Sequence, residues 1–116
     1  MVGWNCNSLG PYKTQVKFVN KIRGMSENIF ILCDTRLGSA NENAFKKLWG
    51  EYFFFNSHSS DKRGIAVLIK DCIPINDIKF ENILKGNLSK LLFRIKDELV
   101  LVKCIYAPNK DMNPNN

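Results

Sequence analysis

The sequence lacks the features that would assign it at once to a zinc, disulfide-rich or membrane class. It has no Cys-x-x-Cys pair, its four cysteines are widely spaced and histidine occurs once, so neither a structural zinc site nor a disulfide framework is indicated. No apolar run reaches the roughly 18 residues of a membrane span, and the first residues do not form a signal peptide. We therefore expect an intracellular protein of the nucleus or cytoplasm, not secreted, without a membrane partner and with reduced cysteines.

Acidic residues are fewer than basic residues. Asp and Glu number 11 against 17 Lys and Arg, which gives a formal charge of +6 and a pI of about 9.3. A basic balance favours a polyanionic partner such as DNA, although many basic proteins bind no nucleic acid. With 116 residues, of which 45% are hydrophobic, the chain can form one domain with its own core.

The segment IFILCDTRL, residues 29–37, carries the most informative local pattern. Its five leading apolar residues predict a strand that is buried on both faces and so lies inside a sheet. Asp34 follows directly, at the carboxyl end of that strand, where open α/β sheets bind their ligands. The acid could hold a metal or face a phosphate, or it could simply begin a turn or cap a helix.

Hydrophobic periodicity predicts the remaining elements. Apolar spacings of three and four indicate two helices, each followed by a glycine, and the later strands run consecutively, which favours a mixed sheet with helices on one face. The predicted helices cover residues 12–23 and 42–49; the predicted strands cover 2–9, 52–55, 64–69, 91–95 and 99–106, while 73–80 is ambiguous.

Four blocks stand in the order and approximate spacing seen in a known superfamily: WNCNSL at residues 4–9, ILCDTRL at 31–37, KRGIAVLI at 62–69 and IYAPN at 105–109. On these blocks the chain resembles the endonuclease/exonuclease/phosphatase superfamily, and within it the endonuclease domain of non-LTR retrotransposons. The resemblance implies an α/β (α+β) fold, half of a four-layer α/β/β/α sandwich with a mixed sheet carrying helices on one face. It further implies a hydrolase that uses Mg²⁺ or Mn²⁺ to cleave DNA phosphodiester bonds and is associated with a reverse transcriptase.

The resemblance also implies roles for single residues. Asn5 and Asp34 match the asparagine and the acid that help to hold the divalent metal. This suits Mg²⁺, which prefers oxygen ligands and is anchored by one or two carboxylates. Tyr106 matches an active-site tyrosine whose hydroxyl can reach the scissile phosphate, and Asn109 a polar residue of the same loop. Asn7 is a further polar candidate for the catalytic site.

Each of these residues also has a structural interpretation. Tyr106 could be an aromatic at a sheet edge, Asn109 a turn residue, and Asn7 the start of an Asx turn. Weaker candidates for DNA or phosphate contact are Arg36, Ser60, Lys62 and Arg63, although a solvated arginine and an ordinary hairpin loop would have the same composition.

Two departures from the family pattern limit what the resemblance implies. Asp34 stands where the family commonly has glutamate, which is one methylene longer. The Gly-Asp-Phe-Asn-like block and the closing Ser-Asp-His block are missing, and His58 occurs too early in the order to be the family histidine. We therefore interpret residues 1–109 as the amino-terminal part of the domain and 110–116 as an unstructured tail.

This interpretation makes the chain a truncated endonuclease that is inactive alone, with DNA and the missing carboxy-terminal half as its partners. The inner face of its sheet would then be left uncovered. The alternatives are a catalytically dead nucleic-acid-binding remnant, or another branch of the superfamily that cleaves a phosphomonoester, an inositol phosphate or abasic DNA.

Overall fold

Two helices and seven strands form within residues 1–59 and 62–106, the part of the chain that the computed structural model describes. Neither of these helices is long and apolar enough to cross a membrane. The mixed α+β composition predicted from the sequence is confirmed. In chain order the elements are β1 (Val2–Asn5), α1 (Tyr12–Arg23), β2 (Ile29–Cys33), α2 (Ser39–Trp49), β3 (Tyr52–Asn56), β4 (Ile65–Ile69), β5 (Ile75–Leu84), β6 (Leu88–Ile95) and β7 (Glu98–Ile105).

The first sheet, which we call sheet A, contains β1, β2, β4 and β3 in that order. β1 runs parallel to β2, whereas β4 is antiparallel to both β2 and β3. β2 therefore has a strand on each side, as its apolar run predicts, and Phe30 and Leu32 are fully buried. Asp34 follows β2 directly, so its carboxylate emerges at the end of an inner strand.

The second sheet, sheet B, is an antiparallel meander of β5, β6 and β7. The ambiguous segment 73–80 contributes the first part of β5, a ten-residue strand. Its register against β6 shifts between Asn76 and Lys79 and again between Asn82 and Leu84. Such irregularities interrupt the alternation of apolar and polar residues, which is why periodicity alone left this segment undecided.

The two sheets and the helices form three layers, because alternate residues of sheet A face opposite ways. On one side, residues of β2 and β4 pack with the helices; on the other, the intervening residues pack against sheet B. The helix side includes Val19, Ile22, Phe30, Leu32, Phe45, Trp49 and Leu68. Helices on one face of a mixed sheet were predicted, and a fourth layer stays a prediction.

The expectation of an uncovered inner face on the sheet was wrong. Within this chain, Val67 and Ile69 of sheet A are fully buried and pack in one cluster with Leu91 and Phe93 of sheet B. The large apolar side chains that remain exposed on the sheets lie mainly on sheet B, among them Leu101 of β7 at 53% exposure. The apolar surface that stays uncovered therefore belongs mainly to sheet B, whereas the sequence suggested that it would be the inner face of sheet A.

Element boundaries differ most at β1. The sequence predicts a strand over residues 2–9, but β1 ends at Asn5 because Asn7 and Ser8 have φ angles of 49° and 88°. These angles are in the left-handed region, where an extended strand cannot continue. Helix α2 starts at Ser39 rather than at Glu42, while the ends of both helices, at Arg23 and Trp49, are as predicted.

A buried asparagine joins the two sheets. Asn56, at the end of β3, is only 2% exposed, and the two hydrogens of its Nδ2 are shared among the Leu84 carbonyl (2.8 Å), the Leu88 carbonyl (3.1 Å) and Ser89 Oγ (2.8 Å). Its Oδ1 accepts from the amide of Gly86 at 2.8 Å. One side chain of sheet A thus contacts four polar groups at the β5–β6 turn.

We expect Asn56→Ala to lower the free energy of unfolding by about 3 kcal/mol, because buried polar groups at the turn lose their partner. The midpoint of urea unfolding, followed by circular dichroism, measures this. Asn20→Ala on the exposed side of α1 is the matched control and should change stability by less than about 0.5 kcal/mol. Equal midpoints for the two variants would contradict the role given to Asn56.

Candidate functional site

The parallel pairing of β1 and β2 brings the predicted metal residues to one edge. Asn5 is paired with Cys33 in the ladder, so the two strands end side by side. The pairing continues past the strands, where the amide of Ser8 donates to the Asp34 carbonyl at 2.9 Å. As a result Asn5 and Asn7, which precede Asp34 by 29 and 27 residues, meet it at the carboxyl ends of two neighbouring strands.

Asp34 is held by an arginine two residues further along. Arg36 donates from Nε to Oδ1 of Asp34 at 3.0 Å and from Nη2 to Oδ2 at 2.9 Å. This is a bidentate, charge-assisted pair, the stronger class of hydrogen-bonded ion pair. The side chain of Asp34 is 7% exposed and that of Arg36 is 34% exposed, so the guanidinium lies between the carboxylate and solvent.

The two asparagines extend this network. Arg36 Nη2 also donates to Asn7 Oδ1 at 3.2 Å, and the amide of Asn7 donates to Asn5 Oδ1 at 3.1 Å. The Asx-type bond considered for Asn7 is therefore made by Asn5, whose side chain accepts from the backbone two residues on. Each carboxylate or amide oxygen assigned to the metal by the resemblance has a partner within this cluster.

The backbone at this edge is unusual. Asn7, Ser8, Asp34 and Arg36 all have positive φ, at 49°, 88°, 55° and 51°. Left-handed conformations of residues other than glycine cost about 1 to 3 kcal/mol each unless local bonds compensate, and they cluster at functional sites. Here the bonds between the two strand ends hold the conformation, so the backbone that carries the polar side chains is fixed in place before any ligand binds.

A second group of polar residues lies on loops that adjoin this edge. The amide of Tyr106 donates to the Asn87 carbonyl at 2.8 Å, and Asn87 Nδ2 donates to the Tyr106 carbonyl at 3.1 Å. Arg63 Nη1 donates to Asn87 Oδ1 at 3.4 Å, and the Arg63 carbonyl accepts from the Arg36 amide at 2.8 Å. A continuous chain of bonds therefore links Tyr106 to the Asp34 pair.

Sequence reasoning missed Asn87. Its only local signal is the Gly86-Asn87 pair between two strands, which indicates a turn but not a link to Tyr106 and Arg63. Lys62 is exposed on the β3–β4 loop, where its carbonyl accepts from Ser59 Oγ at 3.4 Å. Ser60 and Asn109, also predicted as site residues, lie outside the described residues.

Gly64 allows the β3–β4 loop to approach the end of β2. Its φ is +112°, and a Cβ built on it would lie 2.4 Å from Oγ1 of Thr35, a fully buried residue next to Asp34. The Thr35 amide donates to the Gly64 carbonyl at 3.3 Å. Only glycine fits both the backbone angle and this distance, which explains physically why the KRGIAV block carries a glycine.

Three thiols near the site are in their protonated form at neutral pH. Burial raises the pKa of Cys6 to about 12 and that of Cys104 to about 11, and it also raises the pKa of Cys33. The negative charge of Asp34 adds to the rise for Cys6 and Cys33. Because the thiolate is the form that binds metals and attacks electrophiles, a raised pKa makes these thiols poor metal ligands and poor nucleophiles.

The donor set suits a hard cation that keeps most of its own water. Within the described ranges, no three or more His, Cys, Asp or Glu side chains are grouped to hold a metal. The site instead offers one carboxylate and two amide oxygens, which fits Mg²⁺, since this ion commonly binds one or two carboxylates together with water and substrate phosphate. The residues therefore fit the metal, on condition that Asp34 can be shared with or released by Arg36.

Comparison with known proteins adds no assignment. No protein-family model matches the chain, and no curated protein matches it at a significant level.

We expect Gly64→Ala to lower the free energy of unfolding by about 3 kcal/mol, because the new Cβ meets Thr35 Oγ1 and the positive φ is strained. Gly3→Ala in β1 is the matched control, since a Cβ there would have nothing within 4 Å. Adding Thr35→Ala to Gly64→Ala should recover part of the loss, as a double-mutant cycle of urea midpoints would measure. Additive effects of the two substitutions would show that the clash does not limit stability.

Proposed function

We propose that this chain is the metal-holding and phosphate-contacting part of a divalent-metal-dependent endonuclease domain that acts on DNA. The observation that supports the proposal is the convergence of Asp34, Asn5 and Asn7 with two arginines at the carboxyl ends of β1 and β2. One buried carboxylate beside amide oxygens suits Mg²⁺, and the arginines suit phosphate. The net charge of +6 suits a polyanion.

In this proposal each residue has a distinct task. Asp34 and Asn5 hold the metal through oxygen, and Arg36 and Arg63 bind oxygens of the DNA backbone with planar, multiply donating guanidinium groups. When bound, the metal supplies positive charge that stabilises the phosphate oxygens as negative charge develops on them. The backbone of Tyr106 is bonded to Asn87, which also accepts from Arg63; in this proposal the Tyr106 hydroxyl would donate to the scissile phosphate.

Hydrolysis also needs a group that orients the attacking water and one that protonates the leaving oxygen. His58, the only histidine in the sequence, lies in the β3–β4 loop. His58 occurs too early in the order to be the family histidine, and the two blocks that carry these groups in the resembled family are missing from the 116 residues. We therefore assign water activation and leaving-group protonation to those blocks, the acid–asparagine block and the acid–histidine block. Positioning and electrostatics come from the residues described above.

A nucleic-acid-binding protein without catalytic activity is the second candidate. It is favoured by the observation that Arg36 already engages both oxygens of Asp34. If that pair never opens, the edge of sheet A would present arginines to a phosphate backbone and no site for a metal. Both candidates bind DNA. In the first, Asp34 holds the metal that catalysis needs; in the second, Asp34 contributes only to stability.

The 116-residue chain should bind duplex DNA without sequence preference, with an affinity that falls steeply as salt rises, because phosphate contacts release counterions. Fluorescence anisotropy of a labelled duplex between low and physiological KCl measures this. Arg36→Gln and Arg63→Gln should each weaken binding, whereas Lys96→Gln in the β6–β7 turn should not. An affinity indifferent to salt would exclude both candidates.

Catalysis should depend on Asp34. When the chain is joined to a segment that supplies the two missing blocks, we expect Mg²⁺-dependent nicking of supercoiled plasmid. Asp34→Ala should abolish the nicking, because the carboxylate proposed to hold the metal is lost. Asp34→Asn should be nearly as damaging, and Asp34→Glu should be tolerated. Asp97→Ala, an exposed acid in the β6–β7 turn, is the control. Equal nicking by Asp34→Ala and its parent would show that the metal assignment of Asp34, and the site built on it, are wrong. A parent that does not nick at all would leave only the binding function.

A further inference from the structure

The carboxylate proposed to hold the metal already holds a cation that belongs to the protein. Arg36 contacts both oxygens of Asp34, at 3.0 and 2.9 Å, and its Nη2 also contacts Asn7 Oδ1 at 3.2 Å. A divalent ion cannot coordinate both oxygens of this carboxylate while the guanidinium is bonded to them. Its approach is further opposed by the positive charge of Arg36, because like charges a few ångströms apart repel most strongly where water is excluded.

The two members of the pair differ in their freedom to move. Asp34 is 5% exposed and sits between β1 and the β3–β4 loop, held through the Ser8 amide on its carbonyl. The side chain of Arg36 is 34% exposed, although its backbone amide is fixed by the Arg63 carbonyl. The guanidinium can therefore leave the carboxylate by rotation of its own side chain, whereas the carboxylate cannot leave the guanidinium.

A phosphate at the solvent side offers Arg36 an equivalent partner. Phosphate oxygens accept the same two parallel N–H bonds from a guanidinium as a carboxylate does, and they carry negative charge. A guanidinium that turns towards the phosphate frees both oxygens of Asp34, and the phosphate charge offsets the remaining repulsion. The exchange keeps Arg36 paired with an anion before and after, so the two bonds to the phosphate offset the two bonds to Asp34.

We propose that Arg36 makes cation binding at Asp34 conditional on a phosphate group, by exchanging its bidentate bond with the carboxylate for one with the phosphate. The inference rests on the proposed function, because it takes Asp34 to be the metal ligand. It implies that metal and DNA each tighten the binding of the other by the same factor, as linkage requires. The metal would then be held only when a substrate phosphate is present.

The experiment is a titration of the ¹⁵N-labelled 116-residue chain with Mn²⁺, with and without a short duplex. Paramagnetic broadening of the amide signals of Cys6, Thr35 and Arg36 reports binding at Asp34 itself. The free Mn²⁺ concentration is fixed by dialysis, so ions condensed on the DNA do not enter the result. We expect the duplex to lower the half-maximal Mn²⁺ concentration at least about fivefold in the wild type.

Substitution of Arg36 should remove this dependence. In Arg36→Gln we expect Mn²⁺ to bind without DNA at least about fivefold more tightly than to the wild type, with no further gain from the duplex. Arg94→Gln, which removes an exposed arginine 3.6 Å from Asp77 on sheet B, is the matched control and should behave like the wild type. Arg36→Lys keeps the charge without the bidentate geometry and should retain part of the dependence.

The outcomes separate the inference from the proposed function. If Mn²⁺ broadens the three amides equally with and without DNA in the wild type, the inference is wrong and the metal site stands. If Arg36→Gln and wild type bind equally, the inference is also wrong. If no concentration of Mn²⁺ broadens these amides, with or without DNA, both are overturned. The wild-type comparison decides by itself if Arg36→Gln fails to fold.

Discussion

The parallel pairing of β1 with β2 is the constraint on which the candidate site depends. Parallel strands in register bring their carboxyl ends to the same edge, and here the bonding continues beyond the strands, with Cys6 donating to the Cys33 carbonyl and Leu9 to the Thr35 carbonyl. The backbone segments that follow β1 and β2 are therefore held together where they turn. Four residues of these segments have positive φ, and the turns bring Asn7, Asp34 and Arg36 into one hydrogen-bond network.

The central part of the fold could be read from the sequence because burial and hydrophobic pattern agree there. β2 is an unbroken apolar run and lies inside sheet A, and α1 ends at Arg23 before Gly24, as its spacing predicts. Sheet B was harder because β5 contains two register shifts, and its position over sheet A depends on contacts such as Asn56 to the Leu84 carbonyl, which link distant segments. Local periodicity contains no information about such pairings.

The residues of the candidate site could be proposed from the sequence, but their bonding could not. Asp34 and Asn5 followed from matched blocks of sequence, and the structure brings them to one edge. The bond of Arg36 to both oxygens of Asp34 could not be foreseen, because both residues have left-handed backbone, which residues other than glycine keep mainly where the surrounding structure holds them. Asn87 was missed for a similar reason, because its side chain forms hydrogen bonds with Tyr106 and Arg63, which are distant from it in sequence.

Arg36 also explains how the buried carboxylate of Asp34 is accommodated at this edge of sheet A. A carboxylate that is almost excluded from water costs free energy unless it is paired and hydrogen-bonded. The guanidinium supplies the missing counter-charge from within the same loop, and because it remains partly exposed it can transfer that charge to another anion. A carboxylate neutralised by a bound metal ion alone would be unpaired whenever the metal left. Pairing with Arg36 therefore lets the same edge of sheet A be stable without ligands and still present oxygen ligands to a cation.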